Sequence, residues 1–325
     1  DWKKVVERED VDVIDVSTPT YLHKDIVIAA AENGKHIFCE KPMALTYAVA
    51  KERFEAGDVA GSVPYLHHNY RRVPAIVFAK QLIEQGKLGT IYHWRGTYLQ
   101  DWITDPEFSL TWHLQKQFAG AGPHYDLNSH SVDLARYLVG EVKAVSAMMK
   151  TFVAERPLSG EGAGTFKTGS ASSEVGEVTV DDAAFMVAEF ENGALGSFEA
   201  SRFANGRKNY NYFEIYGSKG SLLFNLERMN ELEFLSLDDP ADEQGFRTIL
   251  ATNDTHPYVE AWWPPGHIIG YEHEFTHAVA DFLTAIERGS KIEPNFSDGM
   301  KIMQVLEAAI QSANTGKKVN VSDIK

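Results

Sequence analysis

The stretch HIFCEKPMA, residues 36–44, decides how the rest of the chain is read. Ile37, Phe38 and Cys39 form a short unbroken apolar run, the pattern of a strand covered on both faces. The run stops at Glu40, Lys41 and Pro42, and the chain then turns apolar and helical again. The same alternation extends to either side. DVIDVST (12–18) is predicted as a buried strand, LHKDIVIAAAENG (22–34) as an amphipathic helix ending at Gly34, and KHIFCEK (35–41) as the second strand. LTYAVAKERFEAG (45–57) follows as a second helix and SVPYLHHNY (62–70) as a third strand. Strands joined by helices of this length imply right-handed parallel crossovers in one sheet.

The texture changes after residue 72. A helix at 74–86 precedes the alternating strand GTIYHWRGTYLQ (89–100), a Trp- and Gly-rich loop to about 123, and a helix at 125–139. Strands then follow in succession, at 141–155, at 181–203 with an Asn192-Gly193 hairpin turn, at 212–225 and at 231–237. The Gly/Ser/Thr-rich span 159–174 reads as an exposed loop, and helices at 271–288 and 298–314 close the chain. The fold class is α/β, with a parallel sheet in residues 1–72 followed by an α+β domain in 73–325 built on a large open, mainly antiparallel sheet. Two domains suit 325 residues, since single cores stop growing near ~250 residues.

With 31 Lys and Arg against 46 Asp and Glu, the net charge is −15, which repels phosphate backbones and leaves no basic patch for nucleic acid. No window approaches the roughly 20 apolar residues a membrane span needs. A single cysteine, Cys39, excludes an intrachain disulfide and makes the reducing cytoplasm the expected compartment.

In parallel sheets with helical crossovers, ligands bind beyond the carboxyl ends of the strands. Glu40 and Lys41 stand at one such end, and STPTYLH (17–23) ends the neighbouring strand, with Pro19 at the turn and Thr20 placed to cap the next helix. In an arbitrary loop a Glu-Lys pair is a solvated surface. Between a buried strand and Pro42, beside Thr18 and His23, it forms a shelf for a flat ligand and a reacting hydroxyl. A second constellation lies in GAGPHYDLNSHSVDLARYL (120–138), where helical spacing puts Asp126, His130 and Asp133 on one face. A carboxylate one turn from an imidazole orients it and tunes it as an acid or base; the bland alternative is a polar, solvated helix face.

These stretches, with NYRRVPA (69–75), FEIYGSKGSL (213–222) and the closing segment from Phe282 to Val319, resemble the Gfo/Idh/MocA family, the glucose-fructose oxidoreductase and inositol dehydrogenase group. The resemblance covers nearly the whole chain. It implies a Rossmann-type nucleotide-binding part, NAD or NADP as cofactor, and hydride transfer to or from a hydroxyl carbon of a sugar, cyclitol or related polyol. By the same likeness Lys41, Asp126 and His130 are the catalytic candidates. Thr18, Pro19, His23, Glu40, Lys41 and Pro42 should line the nicotinamide side, with Asn69 and Arg71 as weaker candidates for that wall. The expected assignment makes His130, oriented by Asp126, the base, and Lys41 the group that holds the same oxygen; the two roles are open to exchange. Self-association as a homodimer or homotetramer through the open sheet is also implied.

The chain departs from the family in one respect: no G-x-G-x-x-G follows a strand, and SGEGAG (159–164) lies in the wrong surroundings. The parallel sheet is therefore expected to be incomplete, NAD and NADP are not distinguishable, and dinucleotide binding through the nicotinamide shelf alone is expected to be weak. Tyr98, Trp102, Trp112 and His113, with Trp262, Trp263 and His267, are candidates for a carbohydrate-binding wall, or for ordinary packing. A rival reading comes from HEFTH (273–277), where His273 and His277 on a helix with Glu274 match a zinc hydrolase. A non-catalytic binding or scaffold relative is a further alternative. A glycosidase is disfavoured because Asp126 and Asp133 share one helix and cannot flank a sugar.

Overall fold

A computed structural model describes residues 1–57, 62–158 and 174–325 of the chain. The N-terminal part runs α1 (Trp2–Val6), β1 (Val13–Val16), α2 (Thr20–Glu32), β2 (His36–Glu40), α3 (Tyr47–Gly57) and β3 (Pro64–His67), then a 3₁₀ turn at Asn69–Arg72. Among the described residues the three strands form one parallel sheet in the order β1-β2-β3, with Val16 opposite Cys39 and Glu40 opposite His67. Their carboxyl ends finish level, so Thr18 and Lys41 leave the sheet at the same end. Helix α2 starts at Thr20, two residues earlier than expected, and its N-cap is Pro19 with no side-chain cap bond.

The second part continues with α4 (Pro74–Glu84), β4 (Ile91–Leu99), the single turns α5 (Lys116–Ala119) and α6 (Pro123–Asp126), and α7 (Asn128–Leu138). After β5 (Val142–Lys150) come the paired short strands β6 (Glu155–Pro157) and β7 (Val175–Glu177), then β8 (Ala183–Phe190), β9 (Leu195–Ser201), β10 (Tyr210–Gly217), β11 (Gly220–Asn225), β12 (Glu231–Ser236) and β13 (Arg247–Leu250). Helices α8 (Tyr271–Arg288) and α9 (Phe296–Thr315) and the short β14 (Val319–Asn320) complete it. The large sheet has the order β13-β12-β11-β10-β4-β9-β8-β5-β14 among the described residues, antiparallel except for β4 against β9. The SGEGAG loop lies outside the described residues.

Successive residues of β2 face opposite ways. Ile37 and Cys39 join the core shared with α2, α3 and α9, whereas Phe38 packs with Val63 and Tyr65 against Ala278, Phe282 and Ala285 of α8. Both faces are covered, which is why this strand reads as continuous apolar sequence. The last two helices thus return from the second part to roof the first. Helix α9 is fixed at its start by Asn295, whose side chain accepts from the Ser297 and Asp298 amides while Asp298 accepts from the Asn295 amide, a reciprocal cap worth about 1 kcal/mol. One face of the large sheet packs on α4, α7 and α9; the other leaves Tyr92, Met148, Phe185, Val187 and Leu195 exposed. No helix among the described residues is long and apolar enough to cross a membrane.

Candidate active site

Lys41 reaches from the tip of β2 across to the second part of the chain. Its ammonium donates to Asp126 Oδ1 at 2.5 Å and to the Asp126 carbonyl at 3.1 Å. The other carboxylate oxygen accepts from Arg202 Nη2 at 2.6 Å, and the Arg202 guanidinium lies over the Trp102 ring, 5.0 Å from its centroid. Around these groups is a cleft of about 220 Å³ lined by Ser17, Thr18, Thr20, Glu40, Pro42 and, from the second part, Trp112, His113 and Tyr125. Burial by itself would raise the Asp126 carboxyl, but the Lys41 and Arg202 charges overcome it and hold the group well below the ordinary carboxylate range.

Asp126 and His130 do not belong to one continuous helix, contrary to expectation. The helix predicted at 125–139 is broken at Leu127 into α6 and α7, and both Asp126 oxygens point to cations rather than to the imidazole. Asp133 departs further. It is buried and paired with Arg71, whose Nη2 donates at 2.6 Å. His130 is 5 % exposed, its ring 4.5 Å from that of Tyr70 and edge-on to His68. Its Nδ1 has no partner among the described residues. Burial, then the nearby Lys41 charge, push its basicity well below the ordinary imidazole value, so it is neutral at neutral pH.

The start of α6 is held by Asp181, whose carboxylate accepts from the Gly122 and His124 amides at 2.8 and 2.9 Å. A Cβ at Gly122 would stand 1.9 Å from the Asp181 carbonyl oxygen. Glycine is needed there for close approach, so the Gly120–Pro123 segment that brings Asp126 to the cleft is packed in place.

Of the shelf residues, Thr18, Glu40, Lys41 and Pro42 do line the cleft. Glu40 Oε1 lies 2.7 Å from His67 Nδ1, its partner across the strand pair. His23 is turned inward: it is 1 % exposed, its Nε2 donates to the Thr18 carbonyl, and burial lowers it to about 4. It shapes the Thr18 turn from beneath. Asn69 and Arg71 are off the shelf altogether, Asn69 donating to Glu274 at 2.6 Å and Arg71 bonded to Asp133. Among the candidate wall aromatics, Trp112 and His113 stack on each other at 3.6 Å within the cleft. Tyr98 is buried, bonded to Tyr70 and Asn209, and Trp262, Trp263 and His267 are not among the cleft-lining residues.

Arg202 is the site residue that the sequence reading missed. The available signal was its place: a lone cation one residue beyond an alternating strand, as Lys41 is one residue beyond β2.

The H-E-x-x-H motif is occupied by the fold. His277 donates from Nδ1 to the Arg72 carbonyl and accepts at Nε2 from Trp262 at 2.7 Å, leaving no ring nitrogen for a metal. Glu274 takes the Asn69 amide, so the motif grips the Asn69–Arg72 turn at both ends. Among the described residues no cluster of His, Cys, Asp or Glu is arranged to hold a metal ion. Burial raises the Glu274 carboxyl to about 8. Raised above its unfolded value, it keeps a proton in the native state that the unfolded chain releases, so its contribution falls as pH rises from about 4.5 to 8 and is constant beyond. Glu274→Gln is expected to remove that slope, stabilising the protein relative to wild type by a few kcal/mol at pH 8.5 and little at pH 4.5. Parallel thermal-unfolding curves across this range would contradict it.

A parallel sheet whose strand tips border a charged cleft, followed by a domain on a large open sheet, is the frame of a nicotinamide-dependent oxidoreductase. The chain belongs to the Gfo/Idh/MocA family: residues 1–67 match its NAD-binding Rossmann-fold part and residues 76–223 its C-terminal domain. Levoglucosan dehydrogenase of Pseudarthrobacter phenanthrenivorans is 44 % identical over 100 % of this chain and 83 % of its own length. An oxidoreductase domain protein from Kribbella flavida superposes with a TM-score of 0.94 at 48 % identity, over 99 % of this chain and 83 % of that one. Levoglucosan dehydrogenase in complex with NADH and levoglucosan gives 0.92 at 43 % identity, over the same shares. The enzyme class and the nicotinamide cofactor expected from the sequence stand, and the zinc-hydrolase alternative falls.

Proposed function

We propose that this chain catalyses NAD-dependent oxidation of a secondary hydroxyl on a neutral sugar, of the anhydrosugar class that includes levoglucosan, and the reverse reduction. The observation that carries the reading is the Lys41–Asp126 bridge at 2.5 Å, which brings a strand-tip ammonium and the α6–α7 segment to one cleft. The similarity to levoglucosan dehydrogenase along the whole chain supports the substrate class. Thr18 Oγ1 is buried at the shelf without a partner among the described residues, which a nicotinamide carboxamide lying against Thr18, Glu40, Lys41 and Pro42 would satisfy.

The chemistry that the nicotinamide supplies when bound is acceptance of a hydride from the carbinol carbon. The protein's part is to hold the hydroxyl and move its proton. An ammonium has three N–H groups; Asp126 takes two, and the third is left for the substrate oxygen. His130, neutral and hydrogen-bonded to no carboxylate among the described residues, takes the proton as the carbonyl forms. The stacked Trp112 and His113 offer an apolar face for the sugar ring.

Incubating the full chain with levoglucosan, with myo-inositol alongside, at NAD raised until the rate no longer depends on it, so that the weak dinucleotide binding expected above does not mask turnover, and following NADH at 340 nm tests this. Turnover of levoglucosan with kcat/KM at least about tenfold above the cyclitol is expected, because a displaced hydroxyl leaves buried polar groups unpaired; no NADH with either compound would sink the proposal. The exposed apolar row on the open sheet supports self-association as a homodimer or homotetramer, and light scattering showing only monomer at micromolar concentration would contradict that. The buried single thiol of Cys39 suits a cytoplasmic location.

A further inference from the structure

Lys41 and Arg202 share one carboxylate, and that sharing has a directional result. Asp126 has two oxygens, each committed to a different cation at 2.5 and 2.6 Å. A carboxylate so held cannot rotate toward His130, and the Lys41 ammonium is drawn to the Asp126 side with one N–H to spare. Arg202 itself is held firmly. It is 1 % exposed, follows the end of β9, lies over Trp102, and its Nε and Nη1 have no partner among the described residues. Its one side-chain hydrogen bond among those residues is the one to Asp126. An arginine buried at the edge of a reaction cleft with a single polar attachment is placed to act through that attachment.

We propose that Arg202 is a positioning residue of the dehydrogenase site, acting through Asp126: it anchors the far oxygen so that the near one fixes Lys41 against the reacting hydroxyl and His130 remains an uncommitted base. The inference rests on the dehydrogenase reading. It differs from the expected arrangement, in which the carboxylate serves the imidazole. The charged and titratable groups facing Asp126 are Lys41 from the β2 tip, Arg202 from the end of β9, His113 from the Trp-rich loop, His130 from α7 and Tyr98 from β4. Arg202 is one of the two cations that hold this carboxyl low. Its removal therefore raises the group, and the acid limb of activity moves to higher pH.

A double-mutant cycle in the full chain tests the proposal, using Arg202→Gln, Asp126→Asn and the pair together. Arg202→Gln is expected to lower kcat about 10- to 100-fold, the scale of a sub-ångström to ångström misplacement, with KM for NAD nearly unchanged and the acid limb shifted upward. On the Asp126→Asn background the same change should cost less than about threefold more, because a residue acting through Asp126 has nothing left to act on. Losses that multiply, or a kcat fall with no movement of the acid limb, would overturn it, as would kcat within about threefold of wild type. Should the single Arg202 variant not fold, the double variant carries the comparison with Asp126→Asn alone, since both leave the Lys41 ammonium equally without its carboxylate. Titration of the Asp126 carboxyl by carbon-13 NMR, assigned with Asp126→Asn, needs no turnover. A rise in Arg202→Gln supports the role even if the substrate class proves wrong, and an unmoved carboxyl refutes it.

Discussion

Lys41→Ala is expected to lower kcat by about 10²- to 10⁴-fold, the range for a positioned proton-transfer or polarising group, with the fold intact. The side chain is 17 % exposed and stands on a loop outside the apolar cores, so its loss opens no large cavity. What it removes is one of the two cations on Asp126 and, on the proposed assignment, the donor to the substrate oxygen. A second consequence is electrostatic. After burial, the Lys41 charge is the largest influence pushing His130 down. Without it His130 moves back toward its ordinary value of about 6.5, and since the neutral ring is the active form, the residual activity should fall off at a higher pH than in the wild type. Steady-state kinetics from pH 5 to 9 with a thermal-unfolding control measure both. Turnover within threefold of wild type would remove Lys41 from the mechanism.

His130→Ala is expected to cost a similar 10²- to 10⁴-fold in kcat, while KM for NAD stays close to wild type because the ring lies off the nicotinamide shelf. The two variants differ in their pH profiles. In the wild type the proton acceptor is already neutral well below pH 6.5, so kcat/KM should be flat through pH 6.5–8 with its acid limb lower down. In His130→Ala any limb that belonged to the imidazole disappears. Were Lys41 the acceptor instead, the His130 variant would keep the wild-type profile at reduced height. The proposed assignment makes His130 the acceptor because Lys41 is engaged as a donor to a carboxylate, whereas His130 Nδ1 has no partner among the described residues.

Most of the frame was legible along the chain, for particular reasons. The Ile37–Cys39 run is short, unbroken and bounded by a charged pair and a proline, so it reads as a strand with both faces covered. The alternation in residues 183–201 around Asn192-Gly193 reads as a hairpin because Gly193 adopts a positive φ of 89° that the turn requires. The break at Leu127 was not legible. Pro123 opens a helical turn, and nothing in the spacing tells that Asp126 ends it; the start of that turn is held by Asp181, which accepts from the Gly122 and His124 amides 59 and 57 residues away in sequence. The literal H-E-x-x-H matched a metal motif by spacing alone, and the His277 ring nitrogens and the Glu274 carboxylate were taken by Arg72, Trp262 and Asn69.

The sequence alone determined the alternation of strands and helices in residues 13–67, the main strands and closing helices of the second part, the strand-tip position of Glu40 and Lys41, and the family, because periodicity and local turn chemistry are properties of neighbours along the chain. Tertiary structure decided which charges meet. Asp126 faces Lys41 and Arg202 instead of His130, Arg71 and Asp133 withdraw into the interior, and α8 and α9 cover a sheet laid down more than 200 residues earlier. The physical reason is that a buried charge must find its counter-ion in space, and which partner is in reach depends on how separate elements pack.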